Sequence, residues 1–442
     1  MSVRAIHRNL AWVAGLVAVL WAATGFLHPI MSWTAPRPAV QAPLAQALTL
    51  DGLTQPAPAL AAAGVEETTL VRLVMVDGKP YWFATRDNSA RVVLDARSGA
   101  SAPEMEQRHA IALARHYSEL PDAEVETTRL ITAFSTDYPS VNRLLPVWEV
   151  RFATPDGLTL YVDTGLDRLA AVTNDQRRVL LSGFQNIHTL KFLESIEPLR
   201  LALIFVLIGS VMATTALGAT MLWRSRGRGL RRAHTIAAWV ALPLVAMFTL
   251  SGTLHLFVTS SLWAEPTPRA APFGVAQLPP IPGAEPGIVV NDLTAAGGPL
   301  WRRQIEETGY YFGTYAPDTD EDRARALGGA PTEASVSIVT RFGDGYGFIN
   351  KRLPVWRVDA PSGPVFVDVR EGLIAARPSE TWLTRLEGWT FDNLHKWEFL
   401  NPLGRRNRDY ATMAATAVLI AVSLLGFAII LRRRKGRDSS VG

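Results

Sequence analysis

Cysteine is absent from all 442 residues. That excludes disulfides, thiolate ligands, iron–sulfur clusters and the Cys-x-x-Cys-His attachment of c-type haem. Nucleotide and hydrolase signatures are missing as well: there is no Walker loop, Rossmann fingerprint, His-Glu-x-x-His pair or Gly-x-Ser-x-Gly elbow. A strong charge imbalance is lacking too, since 44 Lys and Arg against 40 Asp and Glu leave a net +4. The excess sits mainly beside apolar runs, so nucleic acid is not an expected partner. Without disulfides, any exported portion must be held together by packing, which segments of about 150 residues can supply.

What the chain does have is apolar length, with 48% hydrophobic residues. Four segments reach the roughly 20 apolar residues that a bilayer-crossing helix needs. They predict membrane helices at 1–31, 199–223, 235–258 and 410–432. The first has no small-residue cleavage site after its apolar run, so it reads as a retained span and not as a signal peptide. Arg4 and Arg8 precede it, Arg224 to Arg232 fill the link at 224–234, and Arg432 to Arg437 begin the tail at 433–442. Alternating spans put all three basic clusters on one side, the cytoplasmic one. The long segments 32–198 and 259–409 then lie outside.

Eight histidines are present, and six of them recur in pairs. His7, Trp12 and Thr24-Gly25-Phe26-Leu27-His28 match His234, Trp239 and Ser251-Gly252-Thr253-Leu254-His255. Phe184-Gln185-Asn186-Ile187-His188 matches Phe391-Asp392-Asn393-Leu394-His395. His7 and His28 are separated along a helix by about the thickness of the hydrocarbon core, and His234 and His255 repeat the spacing. Ionisable residues at membrane depth are functional candidates by default. Paired imidazoles from separate helices are the ligand set of a non-covalently held membrane haem. Two bis-histidine haems need four ligands, so four of the six are expected on iron, with the pairing left open. Gly25, Gly252, Ala22, Ala23 and Ser251 leave room beside the outer histidines, for a macrocycle or for close helix packing. Trp12, Trp33, Trp223, Trp239 and Trp263 read as an interfacial belt. Arg200, Arg405, Arg406 and Arg408 break the charge pattern by lying on the outer flank. They either snorkel or pair with haem propionates or an anionic substrate.

The external segments repeat too. Leu145-Pro146-Val147-Trp148 recurs as Leu353-Pro354-Val355-Trp356, and Tyr161-Val162-Asp163 as Phe366-Val367-Asp368. Alternation predicts strands at 71–76, 81–85 and 91–95, hairpins from 147–152 with 158–162 and from 355–358 with 365–369, and a helix at 104–120. The second half shows no clear copy of that helix. His109 and His116, two turns apart in it, read as solvated or core-facing. Glu306, Glu307, Asp318, Asp320, Glu321 and Asp322, with Tyr310, Tyr311 and Tyr315, read as a solvated acidic loop. The chain is thus expected to be an internal duplication with pseudo-two-fold symmetry and functional residues at the repeat interface.

The unit Val92-Val93-Leu94-Asp95-Ala96-Arg97-Ser98-Gly99, the helix after it, and the membrane motifs His7-Arg8-x-x-x-Trp12 and Thr24-Gly25 resemble the PepSY-associated transmembrane family. The resemblance implies four transmembrane α-helices with two α+β PepSY-like periplasmic domains, in a multi-pass protein of the bacterial inner membrane. Some members look like reductases that release iron from ferric siderophores using two b-type haems. By resemblance the cofactor is haem b, the partner a ferric siderophore, and the electron donor a quinol or a soluble reductase. Two alternatives stand beside this: a PepSY-type regulatory or binding module without redox activity, and a siderophore permease.

Overall fold

A computed structural model describes residues 2–438, apart from 42, 45, 87–88, 136, 140–141, 224–227, 261–268, 282, 284–288, 306–319, 343–344, 348–349 and 378–380. The chain opens on α1 (Val3–Trp33) and passes through the short helix α2 (Pro56–Ala62) into β1 (Glu67–Thr68), β2 (Leu70–Val76), β3 (Lys79–Thr85) and β4 (Val92–Asp95). Helix α3 (Glu104–Ser118) precedes β5 (Val125–Ile131), β6 (Val147–Phe152), β7 (Thr159–Asp163) and β8 (Arg168–Thr173). Three helices follow: α4 (Asp175–His188), α5 (Glu197–Leu222) and α6 (Leu230–Val258). The second insertion contains β9 (Phe273–Gly274), β10 (Val290–Ala296), β11 (Trp301–Ile305) and α7 (Asp320–Gly328). Its last strands are β12 (Val336–Val339), β13 (Val355–Ala360), β14 (Gly363–Asp368) and β15 (Leu373–Ala376). The chain then runs through α8 (Trp382–Thr390), a π turn at Phe391–His395, and α9 (Arg405–Asp438).

These elements form two units. A helical unit comprises Met1–Ala35, Gln176–Glu265 and Ser379–Gly442; a sheet unit comprises Pro36–Asp175 and Pro266–Pro378. In the helical unit, α1, α5, α6 and α9 are long and apolar enough to cross a membrane. They extend past the apolar runs because the flanking polar residues also satisfy helical hydrogen bonding. Helix α1 packs on α5 and α9, and α6 packs on the same two, so α1 and α6 stand diagonally opposite.

In the sheet unit, residues from both insertions share one five-stranded sheet, in the order β11-β10-β2-β3-β4. Strand β10 pairs antiparallel with β2, setting Thr294 opposite Arg72 and Ala296 opposite Leu70. Nearly every residue of β2 is buried, so this strand needs neighbours on both edges, and the second comes from the distant segment. Trp82 and Trp301, both fully buried, meet at 5.7 Å in the core beneath. The β2–β3 turn is Asp77-Gly78, both residues left-handed, the backbone that a two-residue hairpin demands.

Two further antiparallel sheets, β5-β6-β7-β8 and β12-β13-β14-β15, have the same strand order. Helix α3 packs on β6 and β7; α7 packs on β13 and β14. Helix α7 corrects the expectation that the second half has no counterpart to α3. It is only nine residues of Asp, Glu, Arg, Ala, Leu and Gly, with Ala324 and Gly328 its buried positions, so no apolar period is visible. It also corrects the acidic-loop expectation for three residues. Asp320 lies 3.8 Å from buried Arg302, and burial raises its carboxyl above the usual range. Glu321 and Asp322 pair with Arg325 within the helix. Glu306, Glu307, Tyr310, Tyr311, Tyr315 and Asp318 lie outside the described residues.

A buried ionic network joins the matched Asp-bearing strand ends. Arg91 bonds Glu106, Asp163 and Thr164; Arg72 reaches Asp167 and Asp292, both at 2.8 Å. Arg168 bonds Asp368 and, at 2.9 Å, Glu371. Burial alone would raise the Asp167 carboxyl, but Arg72 and His109 more than offset it and hold it well below the usual carboxylate range. Arg168 and Arg352 do the same for half-buried Glu371.

Candidate functional site: a histidine-lined cavity

Helix α1 carries His7 and His28 near its two ends, and α6 carries His234 and His255. Helix α4 terminates on His188, and the π turn after α8 terminates on His395. Such single π turns often occur at functional sites. All six side chains line one cavity of about 2140 Å³ between the helices of this unit. Ordinary small-molecule pockets are roughly 300–1,000 Å³, so this space suits more than one large planar group. The structure therefore gathers every histidine of the three matched pairs.

Hydrogen bonding separates four of them from the other two. His7 Nδ1 lies 2.9 Å from the Thr214 carbonyl on α5, and His234 Nδ1 3.0 Å from the Val422 carbonyl on α9. A carbonyl only accepts, so both rings carry their proton on Nδ1. His188 Nδ1 lies 2.9 Å from Thr24 Oγ1, and His395 Nδ1 3.1 Å from Ser251 Oγ. Thr24 already donates its hydroxyl hydrogen to the Trp21 carbonyl at 2.9 Å, and Ser251 donates to Met247 at 2.6 Å. Those hydroxyls can only accept from the rings, so Nδ1 is again the protonated nitrogen. Among the described residues Nε2 of these four makes no hydrogen bond. A neutral imidazole with Nδ1–H held and Nε2 bare is the metal-binding tautomer. For the two rings carried outside the spanning helices, burial sets the same state, pushing His188 down to about 4 and His395 to about 3.

Glycines let three of these rings lie against neighbouring helices. A Cβ at Gly218 would stand 3.2 Å from His7 Cε1; at Gly426, 3.4 Å from His234 Cε1; at Gly252, 3.4 Å from His395 Cε1. Gly218 and Gly426 follow the Thr214 and Val422 carbonyls by one helical turn on α5 and α9, so each helix supplies an acceptor and a gap together. Gly25 instead faces Thr416, and Ala22 packs with Ala241 and Leu419, so there helix packing explains the small residues.

The remaining pair differs between the two halves of the chain. His255 Nδ1 lies 2.6 Å from Glu387 Oε1, with Phe391 stacked on the ring at 3.6 Å. His28 has the Phe184 ring at 5.4 Å and makes no hydrogen bond among the described residues. Leu180 occupies the position in the first half that corresponds to Glu387, so no matching carboxylate exists there.

Arg200, Arg405 and Arg408 line the cavity, and Arg406 does not. Arg200 is held by Glu197 at 2.5 and 2.6 Å and by the Thr189 carbonyl at 2.8 Å. Arg408 bonds Asp409 and Asn401, and Arg405 bonds Ser32 Oγ at 2.6 Å. Arg4, Arg8 and Arg231, read from sequence as topology signals, line the cavity as well. Of the tryptophans, Trp12 stacks on Phe427, Trp33 donates to Asp409 and Trp223 meets Trp239 edge-on; Trp263 lies outside the described residues. Trp21, missed in the sequence, lines the cavity and donates to the Ile187 carbonyl.

In the sheet unit His109 is buried and its Nε2 meets Asp167 at 2.6 Å, while His116 packs edge-on against Tyr117. Among the described residues no three His, Asp or Glu side chains converge on a metal-ion position. Axial ligation of a macrocycle needs only two imidazoles. Thr24, Ser251, Thr214, Val422, Gly218, Gly426 and Glu387 are the site residues that sequence reasoning did not assign. Only the Thr24-Gly25 and Ser251-Gly252 match carried a signal for any of them. Compared with models of protein families, with characterised proteins and with solved structures, the chain matches none.

Proposed function

We propose that this protein is a b-type haem protein of the bacterial inner membrane that passes electrons across the bilayer and reduces a ferric siderophore in the periplasm. One observation carries the reading: four imidazoles that line one large cavity each hold Nδ1 against a neutral acceptor and make no hydrogen bond at Nε2 among the described residues. His7 with His234 would hold one haem, and His188 with His395 the other, at opposite ends of the spanning helices. The internal duplication, with matched residues in both halves, supports a pseudo-symmetric pair of sites. Arg200, Arg405 and Arg408 offer cations for the propionates of the outer haem, and Arg4, Arg8 and Arg231 for those of the inner one. The same basic residues orient the His7 end toward the cytoplasm, and both sheet-bearing insertions toward the periplasm. The PepSY-associated motifs point the same way.

When bound, two haems supply one-electron Fe(III)/Fe(II) chemistry at two depths of the bilayer. The chain's own part is to hold ring tautomers, exclude water and present a surface at the outer mouth. Ferric siderophores bind Fe(III) through hard oxygen ligands; Fe(II) suits those ligands less well, so one electron loosens the metal. That step needs no acid–base residue. The electrons come from a quinol or a soluble reductase. The test is an absorption spectrum of the purified chain, with a haem count. Two haems per chain, with dithionite-sharpened α and β bands reoxidised by ferric siderophores, are expected; a colourless protein overturns the reading in favour of a binding module.

A further inference from the structure

Two segments of the helical unit lead into its second and fourth long apolar helices. One is α4 with the 3-10 turn Lys191–Ile196, which leads into α5; the other is α8, the π turn and the stretch Glu398–Leu403, which lead into α9. No residue of α4 or α8 is buried. They leave large apolar side chains open among polar ones: Val179 is 72% exposed, Phe192 65% and Ile196 53%; Leu386 is 42% exposed, Phe399 54% and Leu403 64%. The two sets are in register. Val179 precedes His188 by the same interval as Leu386 precedes His395, and Phe192 and Ile196 follow as Phe399 and Leu403 follow. Each segment also turns through a left-handed residue at the matching place, Leu190 and Trp397.

Large apolar side chains left open at corresponding positions of both halves mark an interaction surface. Chain continuity says what covers it. Each segment runs directly into a helix apolar enough to cross a bilayer, so it is tethered where the hydrocarbon meets the headgroups. Arg385 and Arg406 are exposed beside the second segment, where they can reach lipid phosphate.

We infer that these two segments are interfacial elements, lying in the headgroup–acyl boundary with their matched apolar side chains in lipid. Resting on the proposed function, this makes the bilayer a structural partner of one ligand pair: His188 and His395 terminate elements docked in lipid, whereas His7 and His234 stand on spanning helices. Lipid removal then loosens the outer haem first.

The cysteine-free chain permits single labels. Spin labels at Phe192→Cys, Phe399→Cys, Asp77→Cys as an aqueous reference and Val206→Cys as a lipid reference are compared in liposomes of the full-length protein. The expected result is that 192 and 399 respond to oxygen and are shielded from a nickel chelate, as at 206. Nickel access equal to that at 77 overturns the docking, as does shielding that persists in detergent and grows with protein concentration, the mark of a second copy. This readout needs no haem, so lipid-like labels on a colourless protein support the docking while removing the redox reading. In the haem-loaded protein, Phe192→Glu with Phe399→Glu should reduce occupancy of the His188/His395 component about tenfold and spare the other. Equal loss of both components, or of neither, overturns the coupling to the ligand pair.

Discussion

In the sheet unit His109 meets the Asp167 carboxylate at Nε2, inside a network that also holds Arg72. In the helical unit His7, His188, His234 and His395 meet carbonyls and hydroxyls at Nδ1 and keep Nε2 bare. The difference lies in the partner. A buried carboxylate takes Nε2 of the ring, the nitrogen a metal would need. A neutral acceptor fixes the proton without supplying charge, and Nε2 is left without a hydrogen bond among the described residues. A histidine thus meets two outcomes in one chain: a carboxylate partner where charges converge, and a neutral acceptor where only dipoles do.

The largest effects test the second outcome. His7→Ala and His234→Ala should each abolish the same haem component in the dithionite difference spectrum, and His188→Ala and His395→Ala the other. If His7→Ala and His234→Ala remove different components, the pairing is wrong. The first outcome is tested by Asp167→Ala, which strands Arg72 and His109. It should lower the stability of the sheet unit by about 3–5 kcal/mol, read as a shift of its denaturant midpoint, with the haem spectrum unchanged. A spectral change would erase the contrast between the units.

A finer test lies within the helical unit. Thr24→Val or Ser251→Ala removes a hydroxyl that holds a ring, and second-shell losses of this kind typically weaken metal or cofactor binding about 10–100-fold. Thr214→Val should be silent, because His7 is held there by the main-chain carbonyl. Titration of haem into the apo-protein reads both; equal losses in the three variants would show that hydroxyls and carbonyls are not distinguished.

The smallest effect is in pH. Asp167 and Glu371 are held below their ordinary values, so their stabilisation is complete above the unfolded carboxylate pKa of about 4 and is lost as pH falls below it. Denaturant midpoints of the sheet unit should therefore drop between pH 5 and about 3, with a shallower drop in Asp167→Asn. A flat profile would show that the pairs give no net stabilisation.

Much of the architecture was legible because it follows from local patterns. The apolar runs announced the four long helices, Asp77-Gly78 the β2–β3 hairpin, and the recurring His and Gly motifs residues that line the cavity. Helix α7 was not legible, since nine residues with two small buried ones carry no apolar stripe. The docking of β10 on β2 was not legible either, because strand partners far apart in sequence leave no mark on either strand.

Sequence by itself determined which side chains could ligate: imidazole types, spaced to a membrane's thickness and written twice. Only the tertiary structure decided which four hold Nδ1 against a neutral acceptor. That choice depends on the Thr214 and Val422 carbonyls, identical in chemistry to every other carbonyl in the chain. It depends equally on Glu387, whose reach to His255 exists only once α8 packs on α6. A proton's place on a ring is set by the nearest acceptor in space, and the order of residues along the chain does not encode that distance.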